Sequence, residues 1–132
     1  MGAAAHFYMT LGFHTDFVPA VIAGTKPHTI RLRERWRVGM SIQFYQHARQ
    51  KTMAKFRPDA VALVVQEISI RVPRKGAQPV IIVDKRTLTP LECQELSRRD
   101  GFEDFKELLD WFAAHGGLPF NGQLIGWTSL RY

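Results

Sequence analysis

The sequence predicts a mixed α+β domain, most simply a small curled sheet or barrel with helices packed over one side. Three observations predict it. Strand-like segments fall mostly before and after one pair of helices. No internal repeat, low-complexity tract or Ser/Gly linker divides the 132 residues. A 45% hydrophobic composition with 9 Phe, 3 Tyr and 3 Trp supplies a sizeable core. One domain over residues 1–132 is therefore expected.

The elements follow in order. Asp16, Phe17–Ala23 and Gly24 read as a short helix with an N-cap in front and a glycine stop behind. A strand-like segment begins near Thr29. Met40–Gln46 alternates Ile42 and Phe44 against Gln43 and Tyr45, which is strand periodicity. Ala60–Val72 is long, β-branched and partly alternating, so it reads as one central strand. Pro79–Asp84 is a short buried strand after a turn around Arg74–Gly76. Thr89-Pro90-Leu91-Glu92 is a capping box with Pro at the first helical position, opening a helix to about Arg99. Phe102, Phe105, Leu108, Leu109 and Phe112 mark one face of a second helix that ends at Gly116-Gly117, and this stripe reads as core. Gly122–Thr128 offers a last strand.

Charge is unevenly distributed. From Lys26 to Pro58 stand nine basic residues (Lys26, Arg31, Arg33, Arg35, Arg37, Arg49, Lys51, Lys55, Arg57) and one acid, Glu34. From Leu88 to Trp111 stand seven acids and three bases. Such concentrated positive charge suits a polyanion, because each neutralised phosphate releases counterions. The longest apolar runs fall far short of the roughly 20 residues a membrane helix needs. Cys93 stands alone, which excludes an internal disulfide and suits a reducing compartment; on the capped helix it reads as a small core filler. Met1–Met9 lacks the basic start and apolar core of a secretory signal, so a cytoplasmic protein without a membrane partner is expected.

Gly24-Thr25-Lys26-Pro27-His28-Thr29-Ile30-Arg31 is the most informative stretch. A rigid Pro27 follows Lys26, so the backbone is held while the ammonium is free to point inward. Thr29 and Arg31 share one face of an extended chain. An ammonium, a hydroxyl and a guanidinium together suit an oxyanion, a phosphate or a nucleobase edge. His28, in the loop, is a further possible acid or base.

Gly24-x-Lys26-x-x-Thr29-x-Arg31, the Asp100-Gly101-Phe102 step and Phe120-x-Gly122-x-Leu124-Ile125-x-Trp127 together resemble the ASCH domain, the activating-signal-cointegrator homology family of the PUA-like superfamily. The resemblance runs in register from about Phe17 to Trp127. It implies a small PUA-like β-barrel, helices over one opening, a cleft between them, and RNA as partner. One branch of the family hydrolyses N4-acetylcytidine through a Lys, a Thr and a Glu. The resemblance carries these onto Lys26, Thr29 and Asp100, the last one methylene shorter than the family's Glu. A threonine nucleophile needs a base for its proton, and an oriented lysine can fill that role. The shorter carboxylate puts reach in question, since errors near 1 Å can cost roughly 100-fold.

A second constellation lies within the basic block. Tyr45, His47, Arg49 and Lys51 fall at period two, which places all four on one side of an extended chain, with Lys55 and Arg57 nearby. Trp36 and Tyr45 read as platforms on which unstacked bases stack. No Walker or Rossmann glycine loop is present, and the five histidines never fall at metal-ligand spacing with Cys or Asp. No metal or other cofactor is expected, and no motif specifies a divalent-ion requirement or an oligomeric state.

Three readings follow. The first is an RNA-processing hydrolase, ribonuclease-like, acting on single-stranded RNA in a basic cleft. There Lys26, Tyr45 and Lys51 stabilise phosphate charge, Tyr45, Thr29 or His47 moves protons, and Arg31, Arg33, Arg35, Trp36, His47, Arg49, Lys55 and Arg57 hold the strand. The second is an N4-acetylcytidine amidohydrolase using Lys26, Thr29 and Asp100. The third is a non-catalytic RNA-binding module. The cluster of cations favours a polymer over a free nucleoside; Ser129, after the last strand, is assigned no role.

Overall fold

In the computed structural model, which describes residues 8–47 and 50–132, the chain is mixed α+β. The strands are β1 (Tyr8–Phe13), β2 (His28–Arg31), β3 (Ser41–Gln46), β4 (Ala54–Lys55), β5 (Ala60–Val61), β6 (Val64–Arg71), β7 (Val80–Val83), β8 (Arg86–Thr87) and β9 (Phe120–Gly126). The helices are α1 (Val18–Ala23), α2 (Pro90–Arg99) and α3 (Phe105–Ala114).

Two sheets result. The larger has the order β2-β9-β6-β7-β8 and is antiparallel throughout. In the smaller, β1 runs parallel to β3, and β4 and β5 pair antiparallel with it. Among the described residues, pairing stays within these two sheets and does not join them into a closed ring.

The expected strand over Ala60–Val72 divides in two. Ala62 N–H donates to Met40 O in the small sheet, and Leu63 N–H donates to Gly126 O in the large one. One apolar run thus serves both sheets, crossing between them at Ala62–Leu63. β1 has no counterpart among the sequence expectations. The first helix also differs: a 3-10 turn over Thr15–Phe17 precedes α1, and the His14 ring, not the Asp16 side chain, caps it by accepting from Asp16 N–H at 3.2 Å. The capping box of α2 forms as expected, with Glu92 N–H donating to Thr89 Oγ1 at 3.2 Å and Thr89 N–H to Glu92 Oε1 at 2.9 Å.

Each face of the larger sheet is covered. Leu96, Leu108 and Phe112 of the helices pack with Ile68, Ile81 and Leu124, and Cys93 lies in this core as a small filler. Ile125, one residue along β9, joins Phe44, Ile42 and Trp36 in a second core beneath the smaller sheet. Alternation along β9 therefore sends Leu124 to the helices and Ile125 to the other sheet, so both neighbours are fully buried. β2 is left at the edge of the larger sheet, and the candidate site is built along it. Among the described residues no helix is long and apolar enough to cross a membrane.

Candidate functional site

A cavity of about 330 Å³ opens beside β2. The four consecutive residues Thr29–Leu32 line it, so the strand presents its edge to the space rather than one face. Phe17, Phe102 and Trp111 wall it, with the Phe17 and Phe102 rings 5.4 Å apart at 72° and Phe17 and Trp111 6.4 Å apart at 76°. The Trp111 and His115 rings stack at 4.1 Å on the rim. The Phe stripe is core as expected, yet Phe102 and Phe112 also face this cavity, a dual use the periodicity does not reveal.

Lys26, Thr29, Arg31 and Asp100 come together here. Lys26 does not project freely. Its side chain is 3% exposed, and its Nζ donates to Asp100 Oδ1 at 2.9 Å and to the Asp100 carbonyl at 2.5 Å. The shorter carboxylate therefore does reach its lysine. Asp100 sits at the C-cap of α2, followed by Gly101 at φ +105°, and a Cβ there would stand 2.7 Å from Phe17 Cδ1. Only glycine lets the chain turn so close to the aromatic wall. Burial lowers the Lys26 ammonium below lysine's ordinary value, against the pull of the Asp100 charge. Burial alone would raise the Asp100 carboxyl, but Lys26 and His28 outweigh it and hold it below the usual range.

His28 is the member the sequence reading undervalued. It is 1% exposed and belongs to β2 rather than to a loop. Its Nδ1 lies 3.1 Å from Asp100 Oδ1 and its Nε2 lies 2.8 Å from the Tyr132 hydroxyl. An ionised carboxylate oxygen can only accept, so Nδ1 carries a proton and donates to Asp100, while Nε2 shares a hydrogen bond with the Tyr132 hydroxyl. Tyr132 is fixed in turn by its backbone, whose N–H donates to Gln66 Oε1 at 3.0 Å and whose oxygen accepts from Gln66 Nε2 at 2.9 Å. No local signal points to Tyr132, which is 104 positions from His28.

Arg31 extends from the same strand edge. Its Nη2 donates to Gly12 O at 2.8 Å, its Cζ lies 5.0 Å from the Phe13 ring centroid, and its buried Nε has no partner. On the far side of Arg31 a wider groove of about 810 Å³ is lined by Thr10, Arg35, His47 and Gln50 among others.

The second predicted constellation does not assemble as an extended face. β3 ends at Gln46, His47 adopts φ 55°, and Gln50 N–H donates back to His47 O at 3.1 Å, so the chain turns where period two required it to run straight. Arg49 lies outside the described residues. Tyr45 is half-buried opposite Lys55 in β4, Lys51 is exposed in a turn, and neither lines the cavity holding Lys26. Lys55 pairs with Asp59. Arg57 lies over the Phe44 ring at 4.4 Å and lines a different recess. Trp36 is 4% exposed and packed in the second core, so it offers no face to a base. Arg33 and Arg35 are exposed in the loop after β2, and Ser129 is exposed, away from the cavity.

Among the described residues no group of three or more His, Cys, Asp or Glu side chains is arranged to hold a metal ion. Comparison with protein-family models, curated proteins and solved structures gave no match to this chain.

Proposed function

We propose that this chain is a hydrolase of the ASCH type that takes one cytosine-sized group into the aromatic cavity and removes an acyl group from its exocyclic nitrogen. Thr29 is the nucleophile, Lys26 the base and acid, and Asp100 the carboxylate that positions Lys26. The observation that carries this reading is the buried Lys26–Asp100 bond of 2.9 Å beside a cavity that Thr29 also lines. We propose the small PUA-like barrel along with the family. The core that Ile125 of the larger sheet shares with Ile42 and Phe44 of the smaller one supports it.

The chemistry balances with these groups. Neutral Lys26 takes the Thr29 hydroxyl proton as Oγ attacks the acyl carbonyl. The C–N bond then breaks, and the departing amine leaves with the proton held on Lys26. Water, deprotonated by the same lysine, cleaves the threonine ester and releases the carboxylic acid. Burial favours the neutral amine that the first step needs, and Asp100 restrains the side chain without entering the bond changes. A cavity of about 330 Å³ with aromatic walls suits a single base better than a strand, since ligand pockets start at roughly 300 Å³.

A second reading, RNA processing or RNA binding, is favoured by the groove that Arg31, Arg35 and His47 line. One experiment separates the two: incubate the protein with N4-acetylcytidine and, separately, with labelled single-stranded RNA, and analyse the products. Cytidine and acetate are expected. Shortened RNA without deacetylation would favour the second reading, and intact substrate in both tubes would overturn hydrolysis altogether.

A further inference from the structure

We propose that the groove beyond Arg31 is a phosphate subsite, so that the bound unit is a phosphorylated cytosine nucleotide rather than the free nucleoside. This rests on the reading of the aromatic cavity as a base pocket. The cavity and the groove share Gly12, Phe13, His14 and Arg31, so they are contiguous, with Arg31 standing between them. A ligand with its base among Phe17, Phe102 and Trp111 has its sugar directed along the β2 edge and its next polar group at Arg31.

The groove is built for an anion. Among the described residues its lining includes the donors Thr10, Thr15, Arg31, Arg35, His47 and Gln50 and no carboxylate. The Asp16 carboxylate lies 3.4 Å from Nδ1 of the lining residue His14 but does not itself line the groove. The Arg35 and His47 side chains make no hydrogen bond or ion pair among the described residues, and His47 is held at φ 55°, a left-handed conformation that a non-glycine residue rarely adopts. The buried Nε of Arg31 has no acceptor while Nη2 is occupied by Gly12 O. A buried donor left over calls for an acceptor, which a water or a ligand oxygen at the junction of the two cavities would supply. A phosphate brings three acceptor oxygens and a charge that a guanidinium matches in geometry, which accounts for two arginines around one space. Of the nine basic residues between Lys26 and Pro58, Arg31 and Arg35 line this groove.

The phosphate has two possible sources, a mononucleotide or a strand, and the experiment distinguishes them. The protein is titrated by calorimetry with cytidine, cytidine 5′-monophosphate, cytidine 3′-monophosphate and a short single-stranded oligocytidylate, at low and moderate salt. At least one phosphorylated ligand is expected to bind about tenfold or more tighter than cytidine, the scale of one charge-assisted hydrogen bond. The advantage should shrink with salt and fall toward unity in Arg35→Ala, whose side chain is exposed and whose loss leaves the core intact. Tightest binding of the oligonucleotide assigns the phosphate to a strand; tightest binding of a monophosphate assigns it to a free nucleotide; either supports the subsite. Equal binding of cytidine and all phosphorylated ligands would overturn it, as would a phosphate advantage undiminished by Arg35→Ala. These ligands carry no acyl group, so the outcome is independent of hydrolysis. A phosphate advantage without deacetylation of N4-acetylcytidine or its 5′-monophosphate would overturn the hydrolase and leave the subsite. Equal kcat/KM for N4-acetylcytidine and for both its 5′- and 3′-monophosphates would overturn the subsite and leave the hydrolase.

Discussion

Lys26 Nζ and Asp100 Oδ1 lie 2.9 Å apart across 74 positions of sequence, with 3% and 6% of their side chains exposed. Removing two charges from water costs several kcal/mol each, and their attraction offsets this only when the geometry is good and the remaining polar atoms find partners. Asp100 meets that condition through Lys26 and His28, and Lys26 through both the carboxylate and the carbonyl of Asp100. The pair is thus a fixed feature of the fold, and removing one member has a predictable cost.

Asp100→Asn keeps the shape and removes the charge, leaving the Lys26 ammonium buried without its counterion. A loss of about 3–5 kcal/mol is expected, the range for breaking one side of a buried pair. Urea unfolding at neutral pH measures it, and a loss below about 1 kcal/mol would show that the pair is not sealed from water.

Stability should fall in acid for a defined reason. The folded Asp100 carboxyl lies below its ordinary value, near 3.9 in the unfolded chain. Its contribution is therefore present above that value and is lost as pH falls through the lower, folded one. Lys26 has the same sign of dependence in a different window: its folded value lies below the ordinary one, so its penalty is relieved as pH rises toward about 10.4. Unfolding measured from pH 7 down to pH 2 should show a steeper acid limb in the wild type than in Asp100→Asn. Parallel limbs would assign acid sensitivity to other carboxylates.

Tyr132→Phe removes the hydroxyl that lies 2.8 Å from His28 Nε2. The buried ring nitrogen is then left without a partner, at a cost of about 1–3 kcal/mol. The Asp100 side of the imidazole keeps its bond, so Lys26 should stay in place and residual deacetylation should persist. Complete loss of activity with unchanged stability would instead make the tyrosine hydroxyl a participant in the chemistry.

Much of this was legible in the residues, and what was not has physical causes. The capping box at Thr89–Glu92, the Phe stripe of α3 and the alternation in β3 are local patterns, and they appear where the pattern puts them. Lys26, Thr29, Arg31 and Asp100, which the motif and the resemblance single out, share one cavity, whereas Tyr45 and Lys51, grouped with Lys26 as catalytic, do not line it. The sequence pattern starts the strand near Thr29 and leaves His28 in the loop, whereas β2 begins at His28, where alternation sets it on the side of Ile30. Tyr132 depends on a contact across the whole chain and has no local signature. The cationic neighbours of Trp36 suggest a surface, whereas the residue is buried in the core that also holds Ile42 and Ile125. The period-two face after Tyr45 failed at His47, where the backbone turns to φ 55°.

The central claim is that Thr29 and Lys26 act as one unit on an acylated base. Its most direct measurement is kcat for N4-acetylcytidine in the wild type, Thr29→Ser, Thr29→Ala and Lys26→Met, each checked for folding by thermal unfolding. Lys26→Met is chosen because the lysine is 2% exposed and an alanine would leave a void. Turnover is expected in the wild type and, reduced, in Thr29→Ser, where a hydroxyl remains. Thr29→Ala and Lys26→Met should each lose about 100-fold or more, and the double variant should lose no more than either, as groups acting as a unit do. Thr29→Ala turning over at the wild-type rate would contradict the claim, and so would a folded wild type that leaves N4-acetylcytidine intact.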